Sequence, residues 1–292
     1  MDVRPASNFA CPIDGLPLAS DGKRWICSSG HSFDVAREGY CNLLPAQHKA
    51  SLDPGDSKEM VVARRRFLDA GHYAPISDRL FFLAARAFDE GGVRDACLVD
   101  AGCGEGYHIA RIAALTQEQG RPGRLTLAGM DVSKWAVKAA ARRGVPAAWA
   151  VASNRRPPFV AGSVDLIACA FGFPHWAGFA GVLKEGGHVL LADPGPDHLV
   201  ELRRIIYETV RQSLPPPLDA AQKAGFVLVA EETLVYKTAV EGAQAVGDLL
   251  RMTPHGARVP KQRRGEVEAL SGLGITVDVT FRLLGRRAAA RG

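Results

Sequence analysis

From residue 93 onward, short apolar runs alternate with stretches whose apolar residues recur every three or four positions. The runs at 97–101, 126–130, 147–151, 164–170 and 188–193 are too uniformly apolar to have a solvent face, as expected of central parallel strands. Helical periodicity follows the first run, through Ile109, Ile112, Ala113 and Leu115. Strand–helix alternation of this kind predicts a doubly wound α/β sheet. Two later runs, 227–235 and 276–284, suit an antiparallel pair, with a helix over 241–252 between them. Another helix is expected after His198, to about residue 210. Upstream, helices are predicted over 57–69, capped by Ser57, and after Pro75 through Leu80 to Phe88, separated by Gly71-His72-Tyr73.

Residues 1–45 follow a different pattern. They have little apolar periodicity and many turn residues, and Asp21-Gly22 between Leu18 and Trp25 marks a hairpin. Such a segment buries too little to hold together without a staple. The expected organisation is a small N-terminal module over 1–45, a helical connector over 46–92 that begins with a polar stretch from 45 to 57, and an α/β domain over 93–292.

Chemistry enters at the ends of the first two strands. Leu98-Val99-Asp100-Ala101-Gly102-Cys103-Gly104-Glu105-Gly106 is an apolar run ending in aspartate, followed by glycines at two-residue spacing. Glycine permits positive φ and close approach of a ligand to the backbone. In doubly wound folds this is where nucleotide-like cofactors bind. A dinucleotide loop would read G-x-G-x-x-G, yet Tyr107 stands where the third glycine belongs and Glu105 lies inside the loop. A carboxylate repels a pyrophosphate but suits S-adenosylmethionine, which carries a sulfonium and an ammonium. Asp100, Gly102, Gly104, Glu105 and Gly106 are therefore candidate donor-binding residues. A second run, 125–131, ends in Asp131, 25 positions after Gly106, where a carboxylate can accept both ribose hydroxyls.

Composition narrows the classes. With 292 residues, 47% hydrophobic, the chain can bury a core of ordinary size. No apolar stretch approaches a membrane span and the N-terminus lacks a signal-like region, so a cytoplasmic protein is expected. A net charge of +5 favours a polyanionic partner, with local clusters such as Arg64-Arg65-Arg66. Six cysteines in such a chain argue against a disulfide framework.

Two of those cysteines stand apart. Cys11-Pro12-Ile13-Asp14 and Cys27-Ser28-Ser29-Gly30-His31 flank the expected hairpin, twelve residues apart. Paired ligands at such spacing suggest a ribbon-type zinc site, with Asp14 where a cysteine would be expected. The alternative is a module that holds no metal and is kept together by packing.

The ordered series Cys11-Pro12, Cys27, His31-Ser32-Phe33-Asp34, Glu38-Gly39-Tyr40, Asn42-Leu43-Leu44-Pro45, Asp53-Pro54-Gly55-Asp56-Ser57, Asp69-Ala70-Gly71-His72-Tyr73, Gly102-Cys103-Gly104-Glu105-Gly106-Tyr107, Asp131-Val132-Ser133-Lys134, Pro194-Gly195-Pro196, His198-Leu199 and Met252-Thr253-Pro254 resembles the bacterial 23S ribosomal RNA guanine-N1 methyltransferases of the RlmA/RrmA type. The resemblance covers nearly the whole chain. It implies a Rossmann-like class I methyltransferase domain, a zinc-ribbon-like module that recognises a 23S RNA hairpin, and a homodimer. It further implies that Tyr73, Gly104-Glu105 and His198 contact the methyl donor, that Asp131 holds its ribose, and that Cys11, Asp14, Cys27 and His31 occupy zinc-ligand positions. Two departures stand out. Asp14 replaces a cysteine, and the element after the fourth strand, usually aromatic-Ala-Pro, reads Phe171-Gly172-Phe173-Pro174.

Methyl transfer to guanine N1 needs a splayed base, for which Phe171, Phe173 and Trp176 are candidate stacking surfaces. His175 is the candidate base for the N1 proton. Arg64, Arg65 and Arg66 are candidate phosphate contacts. Two other classes remain open on the same features: a small-molecule methyltransferase, and an RNA-binding protein that keeps the donor fold without turnover.

Overall fold

The computed structural model describes residues 1–45, 55–210, 212 and 214–287. Of the polar connector, residues 46–54, including Asp53-Pro54, lie outside the described residues.

In chain order the strands and helices are β1 (Asp2–Pro5), β2 (Leu18–Ser20), β3 (Arg24–Cys27), β4 (Ser32–Asp34), β5 (Tyr40–Asn42), α1 (Lys58–Asp69), α2 (Ala74–Glu90), β6 (Asp95–Ala101), α3 (Tyr107–Glu118), β7 (Arg124–Asp131), α4 (Lys134–Ala141), β8 (Ala148–Val151), β9 (Val164–Ala170), α5 (Trp176–Val182), β10 (Leu183–Pro194), α6 (Val200–Ile206), α7 (Asp219–Lys223), β11 (Phe226–Glu241), α8 (Ala243–Met252), α9 (Pro254–Arg258), α10 (Lys261–Glu268) and β12 (Gly272–Arg286).

One large sheet runs β11-β12-β10-β9-β6-β7-β8-β5. From β10 to β5 every pairing is parallel, and β12 inserts antiparallel between β10 and β11. The five expected strands and the late pair all appear. β9 is buried at every position and β6 at all but its first, which is why neither shows a polar alternation. Ser57 caps α1 as expected, its side chain accepting from the Met60 N–H at 3.3 Å. The helix after His198 is shorter than expected and ends at Ile206.

The N-terminal segment is joined to the large sheet at both of its ends. The hairpin at Asp21-Gly22 forms, and β2-β3-β4 make a small antiparallel ribbon. The strands on either side of that ribbon belong to the large sheet. β1 pairs in parallel with residues 124–127 of β7, and β5 pairs in parallel with β8. β1 thus fills the edge of β7 just before β8 takes over at residues 128–131. Phe9, 1% exposed, packs edge-on against Trp25 of the ribbon at 5.0 Å and against Phe159 of the body at 5.2 Å. A segment too small for its own core shares one.

Candidate functional site

The carboxyl ends of β6 and β7 lie side by side, and the loop after β6 folds over them. Gly102, Gly104 and Gly106 all have positive φ, at 90°, 54° and 83°. A Cβ on Gly106 would lie 2.9 Å from Ala140 Cβ and from the Trp149 ring, so only glycine fits there. Asp131 fixes this loop: one carboxylate oxygen accepts from the Gly104 N–H at 3.0 Å, the other from the Ser133 N–H at 2.8 Å. Burial raises the Asp131 pKa, opposed by those two N–H groups.

Asp100 is 2% exposed, and its Oδ2 has no hydrogen-bond partner among the described residues. Burial, with Asp131 nearby, pushes its pKa up to about 7. A buried orphan acceptor is costly unless a ligand supplies a donor or a cation. Glu105, the acid inside the loop, does not face solvent. It is buried and ion-paired with Arg143, whose Nε lies 2.6 Å from Oε2, while Oε1 has no partner among the described residues. Arg143 also pairs with Asp69 at 2.9 Å, tying α1 to the loop.

A second group of side chains gathers from distant segments. Tyr73, at the start of α2, places its hydroxyl 3.1 Å from His198 Nε2. Phe171 stacks on Tyr73 at 5.8 Å and lies 5.6 Å from the His198 ring. Burial lowers the His198 pKa to about 4, so the ring is neutral at physiological pH. Its Nδ1 accepts from the Asp278 backbone N–H at 3.3 Å. The proton therefore sits on Nε2, and the imidazole donates to the Tyr73 oxygen. The tyrosine hydroxyl, its own pKa raised by burial, is left as a donor to whatever enters beside it. Phe171 and Leu199 have φ of 52° and 53°, a left-handed conformation in non-glycine residues on two sides of this group. Asp278 was not foreseen from the sequence. Its Oδ2 accepts from the Asp197 N–H at 2.9 Å, its Oδ1 has no partner among the described residues, and Gly195 is required because a Cβ there would lie 2.2 Å from that oxygen.

His175 is occupied as a helix cap. Its Nδ1 accepts from the Gly178 N–H at 3.1 Å, at the start of α5. While that cap stands, the neutral ring has no lone pair for a proton. Phe173, two residues past Phe171, is 88% exposed, and Trp176 instead packs against Phe226 at 5.3 Å.

The three arginines expected to meet phosphates all have partners within the chain. Arg64 lies over Gly104, pairs with Asp56 and donates to the Met252 carbonyl at 3.0 Å. Arg65 sits 3.5 Å from Asp69. Arg66 holds the buried Asp248 bidentately, at 2.7 and 2.6 Å, with half its side chain in solvent.

In the ribbon, Cys11, Asp14, Cys27 and His31 bring one donor atom each to within 4.8 Å of one another. His31 Nδ1 lies 3.5 Å from Cys11 Sγ, 3.4 Å from Cys27 Sγ and 3.0 Å from Asp14 Oδ2, and Cys27 Sγ lies 3.5 Å from Asp14 Oδ2. Tetrahedral zinc with ordinary bond lengths demands about 3.5 Å between sulfur and nitrogen or oxygen and about 3.3 Å between nitrogen and oxygen. The donor set fits that ion.

Two stretches match known families. Residues 9–52 match the family described as RlmA, N-terminal, and residues 98–193 match a methyltransferase domain. The chain is 39% identical over 193 residues to the 23S rRNA (guanine(748)-N(1))-methyltransferase of Streptomyces fradiae, across 66% of this chain and 65% of that one, just under two thirds of the relative's length. It is 37% identical over 210 residues to a protein of Micromonospora griseorubida, covering 67% of this chain and 68% of the relative. Identity to a protein of Bacillus subtilis (strain 168) is 29% over 278 residues, or 94% of this chain and 95% of that one. Both of these bear, provisionally, the name 23S rRNA (guanine-N(1)-)-methyltransferase. Among the described residues no helix is long and apolar enough to cross a membrane.

Proposed function

The chain belongs to the 23S rRNA guanine-N1 methyltransferase family, and on that premise we propose that it methylates N1 of one guanine in a hairpin loop of large-subunit ribosomal RNA, with S-adenosylmethionine as donor. The observation that carries the reading is the pair of strand-end carboxylates, Asp100 and Asp131, bracketing a loop whose three glycines all have positive φ. The donor supplies a methyl group on a sulfonium, an already activated leaving group.

The chain's own residues divide the remaining work. Asp131, held by two backbone N–H groups, takes the ribose hydroxyls. The orphan oxygen of Asp100 meets the cationic end of the donor. Gly102, Gly104 and Gly106 let the backbone close against it, and Arg64 lies over the loop from outside. Tyr73, oriented by His198, offers its hydroxyl proton, and Phe171 forms the wall against which the target base stacks. Glu105 acts through the loop's shape, since Arg143 neutralises it. Because His175 caps α5, the N1 proton passes to solvent as the methyl group moves from the sulfonium to N1, and catalysis leans on orientation rather than on a histidine base.

Zinc in the ribbon is part of the same proposal. Two thiolates, one carboxylate and a neutral imidazole give the bound site the same charge as three thiolates and an imidazole, so Asp14 preserves the charge balance of an all-soft ribbon. The homodimer implied by the resemblance is proposed too, and sedimentation mass tests it.

The deciding experiment is mass mapping of large-subunit RNA from a strain lacking the gene. One guanine should lose one methyl group and regain it when the intact gene is restored. If no guanine changes, the proposal falls.

A further inference from the structure

One segment joins the ribbon to the loop that bears Phe173. Residues 152–160 follow β8. At their far end, Val160 N–H donates to the Asn8 carbonyl at 2.9 Å, Ala10 N–H donates to the Pro158 carbonyl at 2.9 Å, and Phe159 packs on Phe9. At their near end, the Asn154 side-chain amide donates to the Phe173 carbonyl at 2.9 Å. Between these anchors is a tight turn: Arg156 N–H donates to the Ser153 carbonyl at 3.0 Å, and Arg155 N–H to the Ser153 hydroxyl at 3.2 Å. The carbonyls of Asn154 and Arg155 press on α5 so closely that a Cβ on Gly178 would lie 2.5 and 2.9 Å from them. Arg155 and Arg156 both project from this turn as exposed residues.

Phe173 is held just as firmly and is nonetheless left in solvent. Its loop begins at the left-handed Phe171 and passes Gly172, where a Cβ would lie 2.7 Å from Cys169 Sγ, before reaching the His175 cap. An exposed phenylalanine on a fixed backbone has lost little further freedom when something covers it, which suits a stacking surface. Two exposed arginines that follow Asn154, itself hydrogen-bonded to the Phe173 carbonyl, suit the phosphates on either side of a stacked nucleotide.

We infer that Phe173 and the 153–156 turn, with Arg155 and Arg156, form one rigid grip for single-stranded RNA, which stacks a base beside the target guanine and holds its flanking phosphates. The grip lies between the ribbon and the inner wall of Tyr73, Phe171 and His198, so the RNA runs from ribbon to donor across it. This inference rests on the RNA methyltransferase reading above.

The test uses the full-length protein and an unmodified 23S rRNA transcript. The double variant R155E/R156E should bind the transcript at least tenfold more weakly at moderate salt. The slope of log affinity against log salt should flatten by about 1.4, two phosphates at about 0.7 each. Binding of S-adenosylmethionine, followed by calorimetry, should be unchanged. F173A should lower methylation with donor binding intact, and F173W should restore it. Unchanged RNA affinity and salt slope in R155E/R156E, with wild-type protein still binding and methylating the transcript, overturns the grip alone. Failure of the wild-type protein to methylate the transcript overturns the reading beneath it.

Discussion

The protonation of Asp100 should couple donor binding to pH. Its carboxyl is buried, one oxygen has no partner among the described residues, and its pKa is raised from 3.8 to about 7. That rise corresponds to about 4 kcal/mol of preference for the neutral form in the empty protein. Because the folded pKa lies above the unfolded one, the native state binds the extra proton between pH 4 and 7. Stability of the empty protein should therefore fall as pH rises through that window. A cationic donor reverses the preference and drives the proton off. At pH 7 about half a proton should leave per donor bound, about nine tenths at pH 6 and about one tenth at pH 8. Affinity should weaken toward a tenfold loss for each pH step below 7. Titration calorimetry in two buffers of different ionisation enthalpy reads the proton directly. The donor's own amino group also titrates, so the quantity to compare is the difference between wild type and Asp100→Asn, which keeps the shape and cannot ionise. The asparagine variant should lose the pH dependence, bind donor more weakly at pH 8, and gain stability over wild type at pH 8. Equal proton release in the two proteins would refute the reasoning.

Further tests address the rest of the molecule. Asp193→Asn leaves the 95%-buried Arg282 side chain without its carboxylate at 2.6 Å and should cost about 3–5 kcal/mol in urea denaturation. Gly106→Ala combines positive φ with a 2.9 Å approach to Ala140 and Trp149, and should cost about 2–4 kcal/mol in stability while weakening donor binding, measured by thermal melts with and without donor. One zinc per chain is expected by elemental analysis. Cys27→Ser should abolish it, Asp14→Cys should retain it, and chelation should release Trp25 from Phe9, seen as a fluorescence shift.

Some of this was legible in the sequence for physical reasons. An apolar run that ends in aspartate and then turns on glycines has few uses, so the ends of β6 and β7 and the turn through Gly102, Gly104 and Gly106 could be read directly. The hairpin and the spacing around Cys11, Asp14, Cys27 and His31 were equally local. Partnership was not legible. Nothing near Arg66 announces Asp248, and nothing near Glu105 announces Arg143, because both pairings join elements far apart in the chain. β1 was missed since four residues with exposed Asp2 and Arg4 show no strand pattern until β7 offers them an edge. His175 looks like chemistry in one dimension, and its role as a cap depends on where the helix after it begins. The Tyr73, Phe171 and His198 group comes from three segments, and Asp278, which orients it, lies in a strand whose pattern speaks only of burial.

The way β1 and β5 are laid into the large sheet moors the ribbon at both of its ends. The strands that flank the ribbon are hydrogen-bonded to β7 and β8, so its distance from the proposed donor loop is set by the sheet. In the proposed reaction, which nucleotide reaches the methyl group is then a question of length. Slipping β1 along β7 and β5 along β8 together by two positions would carry the ribbon by about 6.6 Å without altering any residue of the proposed donor site.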